Sequence, residues 1–230
     1  MRNNVLLLTL FIFLSSCSDK PTKDAQVISS STDSKEVSMN TENKSLDKKN
    51  ILFFGDSLTA GYQLSEEQAF PFLIQQKIDS LGLNYNCINA GLSGETSSGG
   101  LNRIDWVLKQ PLDVFLLELG ANDVLRGLDL DQTEKNLNAI INRVKAKYPQ
   151  SKIIVIGMQA PPNMGSDYIN KFNKIFPQLA KEHDAGLVKF LLEGVAGNPE
   201  LNLKDNIHPN EEGHKILSEN VWSVLKKFLS

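Results

Sequence analysis

The sequence predicts an open α/β fold: a five-stranded parallel sheet with helices on both faces. Five short apolar runs, at 51–54, 85–88, 114–119, 152–157 and 187–190, alternate with segments whose apolar residues recur three and four apart. Strands that alternate with helices need crossover connections, and crossovers make the strands parallel. The roughly 180 residues from Asn50 onward are enough for one core and too few for two.

The first run, Ile51, Leu52, Phe53 and Phe54, suits a strand buried on both faces, and Gly55 ends it. Phe70, Leu73, Ile74, Ile78 and Leu81 then form a helical stripe. Pro71 is tolerated in its first turn, where a missing N–H costs nothing, and Gly82 stops it. After the second strand, where Cys87 reads as a small buried residue, Leu101, Ile104, Val107 and Leu108 make a stripe that closes before Pro111. The third strand is followed by Asp131 and Glu134, which resemble a capping box opening a helix with Leu137, Ile140, Ile141 and Val144. After the fourth strand come Phe172, Ile175, Phe176, Leu179 and Ala180, with Pro177 expected to kink their helix. A weak fifth strand leads to a last helix with Ile216, Leu217, Val221, Val224, Leu225 and Phe228 facing inward.

Ahead of this domain, residues 1–17 carry one positive charge at Arg2 and an apolar core of about ten residues. That core is too short to span a bilayer and is of signal-peptide length. Leu14-Ser15-Ser16-Cys17 resembles the lipobox of bacterial lipoproteins, which implies export, lipidation of Cys17, and a periplasm-facing or outer-membrane-anchored protein. Residues 18–49 are rich in Ser, Thr, Asp, Asn and Lys, lack aromatic residues and show no sustained period. They read as a disordered tether with a reach on the order of 30 Å. The catalytic domain is placed at 50–230.

Net charge is −3 with no long basic run, so a nucleic-acid partner is not expected. Once Cys17 is lipidated, Cys87 has no cysteine to pair with, and no cysteine metal site is expected. His183 and His214 read as surface residues, and neither a metal nor a cofactor is called for.

Polar segments follow four of the strands: Ser57 after the first, 89–96 after the second, 120–123 after the third and 205–209 after the fifth. In a parallel sheet these loops open on one edge, so residues far apart in sequence can meet there. Acyl transfer by a serine needs a base, a partner that orients the base, and donors for the oxyanion. His208 is the candidate base, and Asp205, three residues before it, the candidate partner. Pro209 and Asn210 open the helix that fixes this loop. Asn122 can donate from its side chain and Gly94 from its backbone, joining the Ser57 N–H in a three-donor oxyanion hole. Asp123 and Arg126 are expected to pair with each other or to hold the loop. Taken singly, each of these residues also has a plainer reading as a turn former, a helix cap or a flexible glycine.

As a set, Gly55-Asp56-Ser57-Leu58-Thr59, Asn89-Ala90-Gly91-Leu92-Ser93-Gly94, Gly120-Ala121-Asn122-Asp123 and Asp205-Asn206-Ile207-His208 resemble the four blocks of the SGNH (GDSL) hydrolases, in the same order. The stretches 118–127 and 94–97 are most similar to the bacterial periplasmic type with acyl-CoA thioesterase, arylesterase and lysophospholipase activities. The resemblance implies a Ser57, His208 and Asp205 triad, an oxyanion hole of Ser57, Gly94 and Asn122, and a three-layer, flavodoxin-like sheet of order 2-1-3-4-5. It implies small acyl esters or thioesters as substrates, lysophospholipids among them. Thr59 stands where the Gly-x-Ser-x-Gly elbow has its second glycine, so a strained nucleophile turn is not implied.

Two other readings compete. SGNH proteins also include carbohydrate acetyl esterases, although the apolar loop 158–164, with Ala160, Pro161 and Pro162, suits an acyl chain better than a sugar. A non-catalytic flavodoxin-like module presenting 91–100 to a phosphate would place that loop after the first strand, and it lacks a Walker-type lysine.

Overall fold

The computed structural model describes residues 48–229, so the signal-peptide, lipobox and most of the tether readings lie outside the described residues. Five strands, β1 (Lys49–Gly55), β2 (Tyr85–Asn89), β3 (Val114–Glu118), β4 (Lys152–Ile156) and β5 (Gly186–Val188), form one sheet in the order β2-β1-β3-β4-β5. Every pairing is parallel. The tether reading ended one residue late, because β1 already pairs at Lys49, opposite Tyr85.

Burial follows position in the sheet. From Ile51 onward β1 is buried, as is all of β3, whereas β2, an edge strand, is mostly half-buried or exposed. That is why the central strands read as unbroken apolar runs and the edge strand does not. Phe53 and Phe54 point to opposite faces, as successive strand residues must. The Phe53 ring meets Phe70 of α2 (Phe70–Ser80) at 5.7 Å. Phe54 faces the layer of α3 (Ser97–Val107) and α5 (Leu130–Lys147), where a Cβ on Gly100 would lie 3.1 Å from its ring and 3.4 Å from Ile140. Helix α7 (Glu211–Leu225) packs with α2, and α6 (Ser166–Glu182) with α5, completing a layer on each face. Pro177 is carried inside α6.

Several local expectations need correction. The cap of α5 is Asp129, whose carboxylate accepts the Asp131 N–H at 2.9 Å; Asp131 instead pairs with Lys171 on the surface at 2.6 Å. Leu81 lies past the end of α2 and is 61% exposed. The fifth strand begins at Gly186 and ends at Val188. The Gly157 N–H bonds the Val188 carbonyl and the Leu191 N–H bonds the Gly157 carbonyl, which turns the chain off the sheet before Phe190.

Neither His183 nor His214 is a surface residue. His183 is buried at the end of α6, with Nε2 3.0 Å from Asn138 Oδ1. His214 is 1% exposed, and its Nδ1 accepts the Phe70 N–H at 3.1 Å at the start of α2. Burial pushes the His214 pKa down to about 4, which keeps the ring neutral and able to accept. Polar residues hide such positions from a reading based on apolar periodicity. Cys87 is half-buried, and burial pushes its thiol up to about 12, as an inert thiol requires.

Candidate active site

The edge where β1 ends is built around two carboxyl groups. Asp56 caps the short helix α1 (Ser57–Ala60), its Oδ1 accepting the Leu58 N–H at 3.0 Å, and Ser57 occupies the first helical position. Asp56 is thus spent as a helix cap, which leaves the neighbouring serine hydroxyl for another partner. Glu118, at the end of β3, lies opposite Gly55 in the sheet register. Its Oε2 accepts from the Asp56 N–H at 3.1 Å and from Thr59 Oγ1 at 2.8 Å. Only glycine fits at position 55, since a Cβ there would lie 2.1 Å from Thr59 Oγ1 and 2.4 Å from Glu118 Oε2. The loop after β2 closes over the same turn. Asn89 Nδ2 donates to the Thr59 carbonyl at 2.9 Å, and a Cβ on Gly91 would lie 2.3 Å from the Ala60 backbone nitrogen.

From the other side comes the loop before α7. Asp205 Oδ1 accepts the N–H groups of Ile207 and His208 at 2.9 and 3.0 Å, and Asn206 takes a left-handed conformation, φ 56°. A bond from the Leu203 N–H to the His208 carbonyl at 2.7 Å closes the loop, and Asn210 caps α7 through the Gly213 N–H. His208 Nδ1 lies 2.7 Å from Asp205 Oδ2, and Nε2 lies 3.0 Å from Ser57 Oγ. The His208 backbone N–H, more than any other group, holds the Asp205 carboxyl down to about 2. An ionised Asp205 can only accept, so Nδ1 carries the hydrogen and Nε2 offers its lone pair to the serine hydroxyl. The Tyr62 ring packs against His208, with centroids 4.4 Å apart.

The loop after β3 begins the short helix α4 (Ala121–Leu125), and Asn122 Nδ2 donates to Asp56 Oδ2 at 3.0 Å. An amide nitrogen has two hydrogens, so one remains for a ligand. Gly94, φ +78°, is exposed, and its carbonyl accepts from Arg126 Nη2 at 2.7 Å. Arg126 therefore holds the Gly94 loop, as the second of its two expected roles had it. Asp123 does not pair with Arg126. It is buried, and it accepts from the Ser97 N–H and hydroxyl at 2.8 and 2.5 Å and from the Thr133 hydroxyl at 3.1 Å, which ties α3, α4 and α5 together.

Ser57, Asn122 and His208 open into a cavity of about 400 Å³ whose apolar wall includes Val124, Leu125, Met158, Pro161, Pro162 and Leu192. Gly94 is not part of this lining. A larger groove, about 510 Å³, lies beneath Trp106 at the β2 edge and holds none of these groups. Convergent polar chemistry identifies the site here, and volume does not. Burial raises the Asp56 pKa to about 6 and lifts Glu118 well above the usual carboxyl range. The structure thus brings Ser57, Asp205, His208 and Asn122 together. Thr59, Tyr62 and Glu118 were not anticipated, although the chemistry-bearing turn they support was.

Residues 53–216 match the model of the GDSL-like Lipase/Acylhydrolase family. The chain is 36% identical over 180 residues to "Esterase TesA" of Pseudomonas aeruginosa, covering 78% of this chain and 89% of that one. It is 38% identical over 170 residues to "Thioesterase 1/protease 1/lysophospholipase L1" of Escherichia coli, covering 74% and 79%. The crystal structure of TesA superposes with a TM-score of 0.74 at 36% identity, over 79% of this chain and all of that one.

Proposed function

This chain belongs to the GDSL-like lipase/acylhydrolase family and is a hydrolase of ester bonds, and from that premise we propose that Ser57, His208 and Asp205 are its catalytic triad. The observation that carries this is the relay from Asp205 through His208 to the Ser57 hydroxyl, at 2.7 and 3.0 Å, on the floor of an apolar cavity. As Ser57 Oγ attacks the acyl carbon, His208 Nε2 takes its proton, and ionised Asp205 stabilises the imidazolium. Charge gathers on the carbonyl oxygen, where the N–H groups of Ser57 and Gly94 and the Asn122 amide are the proposed donors. Nε2 then returns the proton to the leaving alcohol or thiol, and water repeats the sequence on the acyl-enzyme.

The proposed substrates are esters and thioesters with an apolar acyl chain, aryl esters, acyl-CoAs and lysophospholipids among them. The apolar cavity wall supports this, as do the names of the relatives. A fluorophosphonate probe should label wild-type protein and leave Ser57→Ala unlabelled. In a panel of nitrophenyl esters from acetate to palmitate, acyl-CoAs, lysophospholipids and acetylated sugars, acyl groups longer than acetate should be preferred. Preference for acetylated sugars would move the enzyme to the carbohydrate acetyl esterases, and an unlabelled wild type would leave only the binding-module reading.

The same proposal places the enzyme on a membrane through lipidated Cys17, with 18–48 as the tether. Among the described residues, no helix is long and apolar enough to cross a membrane. Cys17→Ser should move the protein out of the detergent-extracted fraction, and unchanged fractionation rules the anchor out. A form beginning near Lys49 should keep its esterase activity, because the tether carries no catalytic group.

A further inference from the structure

We infer that Glu118 is a positioning residue that works as a neutral acid, sharing one proton with Asp56, so that a single buried pair holds both the nucleophile turn and Asn122 in place. The two oxygens of Glu118 have different surroundings. Oε2 accepts from the Asp56 N–H and the Thr59 hydroxyl. Oε1 is buried with no hydrogen-bond partner, and Glu118 as a whole is 1% exposed. An anionic oxygen with neither water nor a donor is costly, on the order of several kcal/mol. A proton on Oε1 changes it from an orphan acceptor into a donor.

The neighbouring carboxyl is that of Asp56, whose N–H already reaches Glu118 Oε2 at 3.1 Å; it too is 1% exposed, and its charge acts on Glu118. Two carboxyls this buried, joined through the Asp56 N–H, do not both ionise, and the pair carries one negative charge. The charge resides on Asp56, where Oδ1 receives the Leu58 N–H and Oδ2 the Asn122 amide. The other groups that bear on the pair are His208, which favours the charged form of Asp56, and the neutral Thr59 and Asn122 side chains. Glu118 touches neither substrate nor reacting atoms. Its influence passes to Ser57 through the Asp56 N–H and Thr59, and to the oxyanion side through Asp56 and Asn122.

The inference rests on the ester-hydrolase reading for its catalytic consequence, whereas the proton can be observed whether or not the enzyme turns over. Wild-type protein made with carbon-13 glutamate should show, at pH 7.5, an infrared carbonyl stretch of a dry carboxylic acid that shifts with the label. Glu118→Gln reproduces the shape and donor of the neutral acid. It should lose the band and keep kcat/KM within about threefold. Glu118→Leu, which removes donor and acceptors together, should lower kcat by about 10²-fold with a smaller change in KM. If Glu118→Leu does not fold, the glutamine variant and the spectrum decide alone. Absence of the band in wild type, its persistence in Glu118→Gln, or a loss of about 10²-fold or more in Glu118→Gln would each overturn the inference. Absence of turnover in wild type with the band present would instead count against the hydrolase reading.

Discussion

His208→Ala is expected to lower kcat/KM by on the order of 10⁴–10⁶ on every acyl substrate, as removal of the base does in other serine hydrolases. Among the described residues, the imidazole is the one group shown hydrogen-bonding to Ser57 Oγ, at 3.0 Å. The same substitution should leave the thermal transition nearly unchanged. Only the Tyr62 contact and the imidazole's bonds to Asp205 Oδ2 and Ser57 Oγ are lost, in a loop closed mainly by backbone bonds and by the Asn210 cap. Activity within tenfold of wild type would mean that another residue is the base. Asp205 should remain ionised throughout the assay range, because its carboxyl is held near 2. The orienting partner therefore contributes nothing to the acid fall in rate. An acid fall is expected instead from Asp56, held at about 6, whose protonation below that pH weakens its bond to the Asn122 amide.

What could be read beforehand, and what could not, divides along physical lines. The strands and long helices announce themselves because burial forces apolar residues into periods of 2 or 3.6, and parallel strands send their loops to one edge. Ser57, Asn122, Asp205 and His208 were legible because each stands where such a loop begins or ends. The supporting residues gave no such sign. Glu118 closes an apolar strand, Thr59 is the third residue of a helix of four, and His214 stands on a helix between Gly213 and Lys215. A buried polar residue looks like a surface residue in sequence, since only the partner across the fold distinguishes them. The nearest available clue was Gly55 itself, which marks a close approach without naming what approaches.

Asn122 offers the sharpest test of the oxyanion side. Its amide spends one hydrogen on Asp56 Oδ2 at 3.0 Å, and the other is proposed to meet the substrate oxygen as negative charge builds. That interaction strengthens between bound ester and transition state, so Asn122→Ala should lower kcat by about 10²–10³, or roughly 3–4 kcal/mol, with a much smaller change in KM. Asn122→Asp nearly keeps the shape and should be at least as damaging, in either protonation state. Ionised, the new carboxylate sets a like charge against both Asp56 and the developing oxyanion. Protonated, it has one O–H, which the Asp56 carboxylate claims, and nothing remains for the substrate. The comparison belongs near pH 8, well above the value of about 6 at which Asp56 itself takes a proton. A turn-forming asparagine predicts the reverse order, because aspartate favours the same turns and alanine does not. Near-normal kcat in Asn122→Asp, or an alanine variant that loses thermal stability and no rate, would assign Asn122 to the loop and leave the oxyanion to backbone donors.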